Sequence, residues 1–60
     1  MRYIVLYKNN WKCIFKGTSE KHSIFMYDPS EKLITTHTFY SCSLEESVKR
    51  YEAAGWKPFK

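Results

Sequence analysis

Ser43–Gly55 is the one helical pattern in a chain whose other segments read as β-strand. No other feature constrains the fold as much. Ser43 followed three residues later by Glu46 is a capping-box pattern, in which each side chain satisfies a backbone donor at the helix start. Glu45 and Glu46 lie in the first turn, where the positive end of the helix dipole favours them. Glu45–Lys49 and Glu46–Arg50 are acid-first pairs one turn apart. Leu44, Val48, Tyr51 and Ala54 form one apolar stripe, with Ser47 inside it. Gly55 can take the positive φ of a helix stop, which places Trp56 to pack back on Tyr51, and Pro58 forbids continuation. So short a helix is marginal alone in water. It has to be held by packing on the strands.

The strands follow from periodicity and turn chemistry. Arg2–Lys8 and Trp11–Lys16 are rich in β-branched and aromatic residues, and Asn9-Asn10 between them suits a two-residue type I′ loop. That loop sets Lys8 opposite Trp11, Leu6 opposite Cys13 and Ile4 opposite Phe15. One face then carries Ile4, Leu6, Trp11, Cys13 and Phe15, and the other Tyr3, Val5, Tyr7, Lys12, Ile14 and Lys16. The first is assigned to the helix and the second to the outside, because a one-residue slip would mix the two sets. After the polar loop Gly17–Lys21, Ser23–Tyr27 is a third strand. Asp28-Pro29-Ser30-Glu31 fits a type I turn, and the threonine-rich Leu33–Tyr40 is a fourth strand. Uninterrupted pairing sets Tyr27 opposite Leu33, Met26 opposite Ile34 and Phe25 opposite Thr35. Phe25, Tyr27, Leu33 and Phe39 are then expected in the core, with Ile24, Met26, Ile34 and Tyr40 on the other face. Apolar residues on both faces call for cover on both, yet there is one helix. The expected fold is a single α+β domain over residues 1–60: an antiparallel sheet of about four strands (β-β-β-β-α) with the C-terminal helix on one face. Trp56–Phe59 is an extended tail able to add an edge strand.

Sixty residues bury only about 60% of the surface of the unfolded chain, so stability margins are thin. The longest apolar run, Tyr3–Tyr7, is too short to span a membrane, and no secretory leader is recognised. A cytoplasmic protein with Cys13 and Cys42 reduced is expected, a single bridge between them being the alternative. Catalysis by Cys13 or Cys42 with His22 or His37 has no local motif behind it. The spacing of these four residues matches no compact zinc pattern. With only Gly17 and Gly55 there is no phosphate-binding glycine loop. No cofactor, metal or enzymatic activity is expected.

The net charge is +4 and aromatics make up 18% of the chain, more than a core this small can hide. The surplus belongs at the surface, where Tyr and Trp favour interfaces. The outer hairpin face alternates ring and cation. The run Ser43–Ala54 resembles the helix of AP2-type and arm-type integrase DNA-binding domains, in which a Thr/Ser-x-Glu-Glu-Ala helix follows a three-stranded sheet that reads DNA. The chain departs from them in its extra strand, in lacking the glycines of the early strands and in its few sheet arginines. The reading of the residues is a non-enzymatic binding protein that occupies a surface of a protein partner. It is of the regulator or inhibitor kind, such as viruses and mobile elements encode. Its binding residues are expected to be Tyr3, Tyr7, Lys12, Ile14 and Lys16, with Trp56 and Phe59 as a second patch. Nucleic acid on the same face is the alternative, and a homodimer would also supply cover.

Overall fold

The computed structural model describes residues 2–59. Strands β1 (Arg2–Lys8), β2 (Trp11–Gly17), β3 (Lys21–Tyr27) and β4 (Leu33–Tyr40) form one antiparallel meander in the order β1-β2-β3-β4, followed by helix α1 (Leu44–Ala53). Asn9 and Asn10 both take positive φ, 51° and 70°, as a type I′ loop requires. The first hairpin has the expected register throughout, Lys8 facing Trp11, Leu6 facing Cys13 and Ile4 facing Phe15. Leu6, Cys13, Phe15, Ile24 and Leu44 make the buried core, with Ile4, Met26, Phe39, Val48, Tyr51 and Trp56 packed around it. No helix among the described residues is long and apolar enough to cross a membrane.

The second hairpin corrects the expected pairing. Its turn forms as anticipated. The Asp28 carbonyl accepts from Glu31 N–H at 2.9 Å, and Asp28 Oδ1 accepts from Ser30 N–H, Ser30 Oγ–H and Lys32 N–H. Glu31 then turns left-handed (φ 65°), and the register shifts at Met26/Tyr27. Tyr27 faces Leu33, but Met26 faces Thr35 rather than Ile34, and Phe25 faces Thr36 rather than Thr35. The extra residue of such a bulge reverses which side chains share a face beyond it. Pairing with β2, where Cys13 faces Met26, Phe15 faces Ile24 and Gly17 faces His22, sets those three on the helix side and Phe25 and Tyr27 on the opposite one. The bulge then puts Phe39, opposite His22, on the helix side, while Leu33 stays with Tyr27. Of the four residues expected in the core from this hairpin, only Phe39 is on that side.

Strand β3 also begins at Lys21, two residues earlier than expected. Thr18 Oγ1 accepts from the amides of Glu20 and Lys21, tightening the turn so that Thr18 N–H already donates to Lys21 O at 2.7 Å. This draws His22 into the sheet, where it is buried. Gly17 lies opposite His22. A Cβ on Gly17 would sit 2.3 Å from the Lys21 oxygen and 2.5 Å from His22 Cα, with φ at 153°, so the close approach requires glycine. His22 Nδ1 lies 3.0 Å from the Cys42 carbonyl oxygen, which can only accept, so Nδ1 donates there. In that tautomer Nε2 accepts from the Ser47 hydroxyl at 2.7 Å. Ser47, the polar interruption in the helix stripe, is thus the partner of a buried histidine.

The helix ends are largely as the sequence indicates. Ser43 Oγ accepts from Glu46 N–H at 3.2 Å. At the other end Gly55 N–H donates to Glu52 O and Trp56 N–H to Tyr51 O, each at 3.0 Å. This is the Schellman pattern, and its usual apolar contact is present between Tyr51 and Trp56, ring centroids 5.6 Å apart. Tyr51 in turn meets Phe15 edge-on at 5.2 Å. Ala54, expected in the stripe, is exposed, and its carbonyl accepts from Lys8 Nζ at 2.7 Å. Among the described residues the Glu45–Lys49 and Glu46–Arg50 pairs do not form. Glu45 instead bridges to Arg2 on β1, because a helix laid on a sheet can direct its first turn at the neighbouring strand. The tail adds one bridge at the edge of β1, where Tyr7 and Lys57 exchange backbone bonds.

Ser47→Ala leaves the buried His22 Nε2 unpartnered and should cost about 1–3 kcal/mol of unfolding free energy, measured by denaturant titration. A second prediction concerns acid. Bonds from Lys32 N–H and the Ser30 hydroxyl hold the Asp28 carboxyl below its ordinary value of 3.8. A lowered folded pKa stabilises above the unfolded value, and that stability is lost as pH falls through the folded one. Asp28→Asn should therefore flatten the loss of stability below about pH 4, as followed by thermal melts across an acid series.

Candidate binding face

The registers carry the outward residues of β1 and β2 across all four strands. Tyr3, Lys16, Ser23 and Thr38 form one row, Val5, Ile14, Phe25 and Thr36 the next, and Tyr7, Lys12, Tyr27 and Leu33 a third; Lys21 and Tyr40 pair at the end. Among the described residues no element covers this face. The apolar middle row lies between two rows of rings and lysines. Lys12 Nζ stands 5.1 Å from the Tyr27 ring centroid, Lys21 Nζ 5.1 Å from that of Tyr40, and Lys16 Nζ 5.6 and 5.8 Å from those of Tyr3 and Phe25. These contacts hold the ammonium groups over the sheet instead of letting them extend into solvent.

Charge that runs evenly along the sequence is segregated by the fold. All six acidic residues lie in turns or the helix, and none in a strand. Of the strand cations, Arg2 and Lys8 point to the helix side, where Glu45 and the Ala54 carbonyl engage them. Lys12, Lys16 and Lys21 point to the open face. There the nearest carboxylate is that of Glu31, 3.7 Å from Lys12 Nζ and itself largely in solvent. The open face therefore carries three lysines, five aromatic rings and no acid of its own.

Five of the residues singled out from the sequence, Tyr3, Tyr7, Lys12, Ile14 and Lys16, share this face. Lys21, Phe25, Tyr27 and Tyr40 extend it, the first three through the β2–β3 register and Tyr40 through its pairing with Lys21 beyond the bulge. Trp56 and Phe59 lie in the tail after the helix, outside the four strands that form the face. Trp56 is half-buried against Tyr51 at the end of the helix, while Phe59 is 63% exposed beside a shallow depression it shares with Tyr7, Lys8 and Gly55. A second depression of about 450 Å³ lies between Lys16 and Lys21, floored by Ser23 and Phe25.

The remaining reactive side chains have structural surroundings. Both cysteines are free. Cys13 lies in the core, where burial pushes its thiol up to about 12 and so suppresses the nucleophilic thiolate. His22 is engaged by Cys42 and Ser47, and His37 lies against Phe39 at 4.4 Å. Among the described residues no three His, Cys, Asp or Glu side chains are grouped as a metal site would need. The chain matches no protein-family model, no curated protein and no solved structure.

Native protein exposed to a thiol-alkylating reagent at neutral pH should gain one adduct, on Cys42. The second, on Cys13, should appear only on unfolding. Intact-mass measurement followed by peptide mapping reads both.

Proposed function

We propose that the protein is a non-enzymatic binding module, and that its open sheet face occupies an acidic, partly apolar surface of a protein partner in the manner of a small regulator or inhibitor. The supporting observation is the composition of that face: an uncovered apolar row of Val5, Ile14 and Phe25 rimmed by rings and lysines, with no strand carboxylate. Interfaces between proteins have this anatomy, an apolar centre with aromatic residues and a polar rim. Lys12, Lys16 and Lys21 select for negative charge, and steering by such a patch would speed the encounter. The lysine–ring contacts hold side chains over one another before docking, which lowers its entropy cost.

Single-stranded nucleic acid is the second reading, favoured by the lysine–ring pairs, since bases stack on exposed aromatics while cations meet phosphates. The aliphatic Val5 and Ile14 at the centre favour the protein partner, because they offer no stacking plane.

Lys12→Ala combined with Lys16→Ala should abolish capture of the partner from nuclease-treated extract while changing unfolding free energy by no more than about 1–2 kcal/mol. Undiminished capture by the double variant would place binding elsewhere. In mobility-shift titrations, nucleic-acid binding would fall steeply with salt as counterions are released. No retardation at low salt removes the second reading.

A further inference from the structure

The outer edge of β4 has no covering element among the described residues, and its composition is unlike that of the other strands. Arg2 and Lys8 flank β1, Lys12 and Lys16 lie in β2, and Lys21 opens β3, whereas Leu33–Tyr40 carries no Lys, Arg, Asp or Glu, no Pro and no Gly. Exposed edges in monomeric sheet proteins are usually blunted by lysine, proline, a bulge or a covering element. Here the bulge lies at the Leu33 end only, and the stretch from Thr35 to Tyr40 runs unbroken. All of it but Phe39 is exposed.

The direction of its backbone groups follows from the ladder. In a two-residue loop the flanking Lys8 and Trp11 form a hydrogen-bonded pair, and alternation across each strand fixes the rest. Two bonds test this counting. Tyr7 should point away from β2, as its exchange with Lys57 requires, and Thr18 N–H should meet Lys21 O, as it does. Carried to β4, the alternation turns His37 and Phe39 towards β3 and the N–H and C=O groups of Thr36, Thr38 and Tyr40 outward.

We infer that β4 pairs with β4 of a second copy of this chain, antiparallel about a two-fold axis at Thr38, making one continuous eight-stranded sheet. Thr38 then faces Thr38 of the other copy, and Thr36 of each faces Tyr40 of the other. On the helix side His37 of each faces Phe39 of the other. These are favourable cross-strand partners with no like charges opposed. Two molecules of net charge +4 meet along the one strand free of formal charge. Helix α1 does not obstruct the approach, since it lies over β2 and reaches β3 through His22. The opposite edge is unsuited to a head-to-tail chain, because the Lys57 bridge occupies β1 at Tyr7. The pairing therefore closes as a dimer. It joins two open faces into one, and it stands independently of what those faces bind.

Sedimentation and heteronuclear hydrogen exchange on the purified full chain, from micromolar to millimolar, test this. The expected result is a shift from one to two chain masses. The amides of Thr36, Thr38 and Tyr40 should slow together at least about tenfold as the dimer fills, while those of His37 and Phe39 stay protected at all concentrations. Thr38→Pro removes an outward donor and no β3–β4 bond, as edge proline can, and Thr36→Lys places a charge on the pairing edge. Either variant, if folded, should remain monomeric. A monomer at every concentration would overturn the inference. So would a dimer in which Thr36, Thr38 and Tyr40 exchange freely, or a mass that grows beyond two chains.

Discussion

One ten-residue helix has to cover a four-stranded sheet, and it is too narrow to do so. A helix with its side chains is about 10–12 Å across. Strands lie about 4.8 Å apart, so it shades two or three of them. It lies over β2, and the buried core, Leu6, Cys13, Phe15, Ile24 and Leu44, comes from the three strands β1–β3 and the helix. What the helix cannot reach, the helix side of β4 apart from Phe39 and the whole opposite face, is left to solvent or to a partner.

The interactions that hold the helix compensate for its shortness. Leu44 and Tyr51 supply apolar contact, Lys8 donates to the Ala54 carbonyl at its end, Arg2 meets its first turn, and His22 anchors Ser47 and the preceding loop. Each joins the helix to β1, β2 or β3. The same arrangement sorts charge, because the strand cations facing the helix are engaged by it and those facing away are not. The open face thus owes its positive character to Lys12, Lys16 and Lys21 and to the confinement of the acids to turns and helix.

The candidate face was half legible in the sequence. Tyr3, Tyr7, Lys12, Ile14 and Lys16 could be grouped because the Asn9-Asn10 loop sets their register over only a few residues. Phe25 and Tyr27 were assigned to the wrong side, since their face is set by pairing with Ile14 and Lys12 on β2 across the polar Gly17–Lys21 loop, and counting from the Asp28–Glu31 turn says nothing of that pairing. Trp56 was legible as packing back on Tyr51 at the helix stop, as it does. His22 gave no local signal at all, because its partners Cys42 and Ser47 lie 20 and 25 positions away.

The sequence by itself determined what depends on neighbours in the chain: two asparagines that accept positive φ, an aspartate that closes a turn with its own carboxylate, a serine cap and a glycine stop. It determined the β-β-β-β-α order for the same reason. The tertiary structure decided what depends on distant contacts: the β2–β3 register that chooses the faces of β3, the bulge that chooses those of β4, the burial of His22 against the helix, and the separation of charge between the two sides of the sheet. A local conformational preference is complete within a few residues, whereas a face exists only once strands far apart in the chain have settled their register.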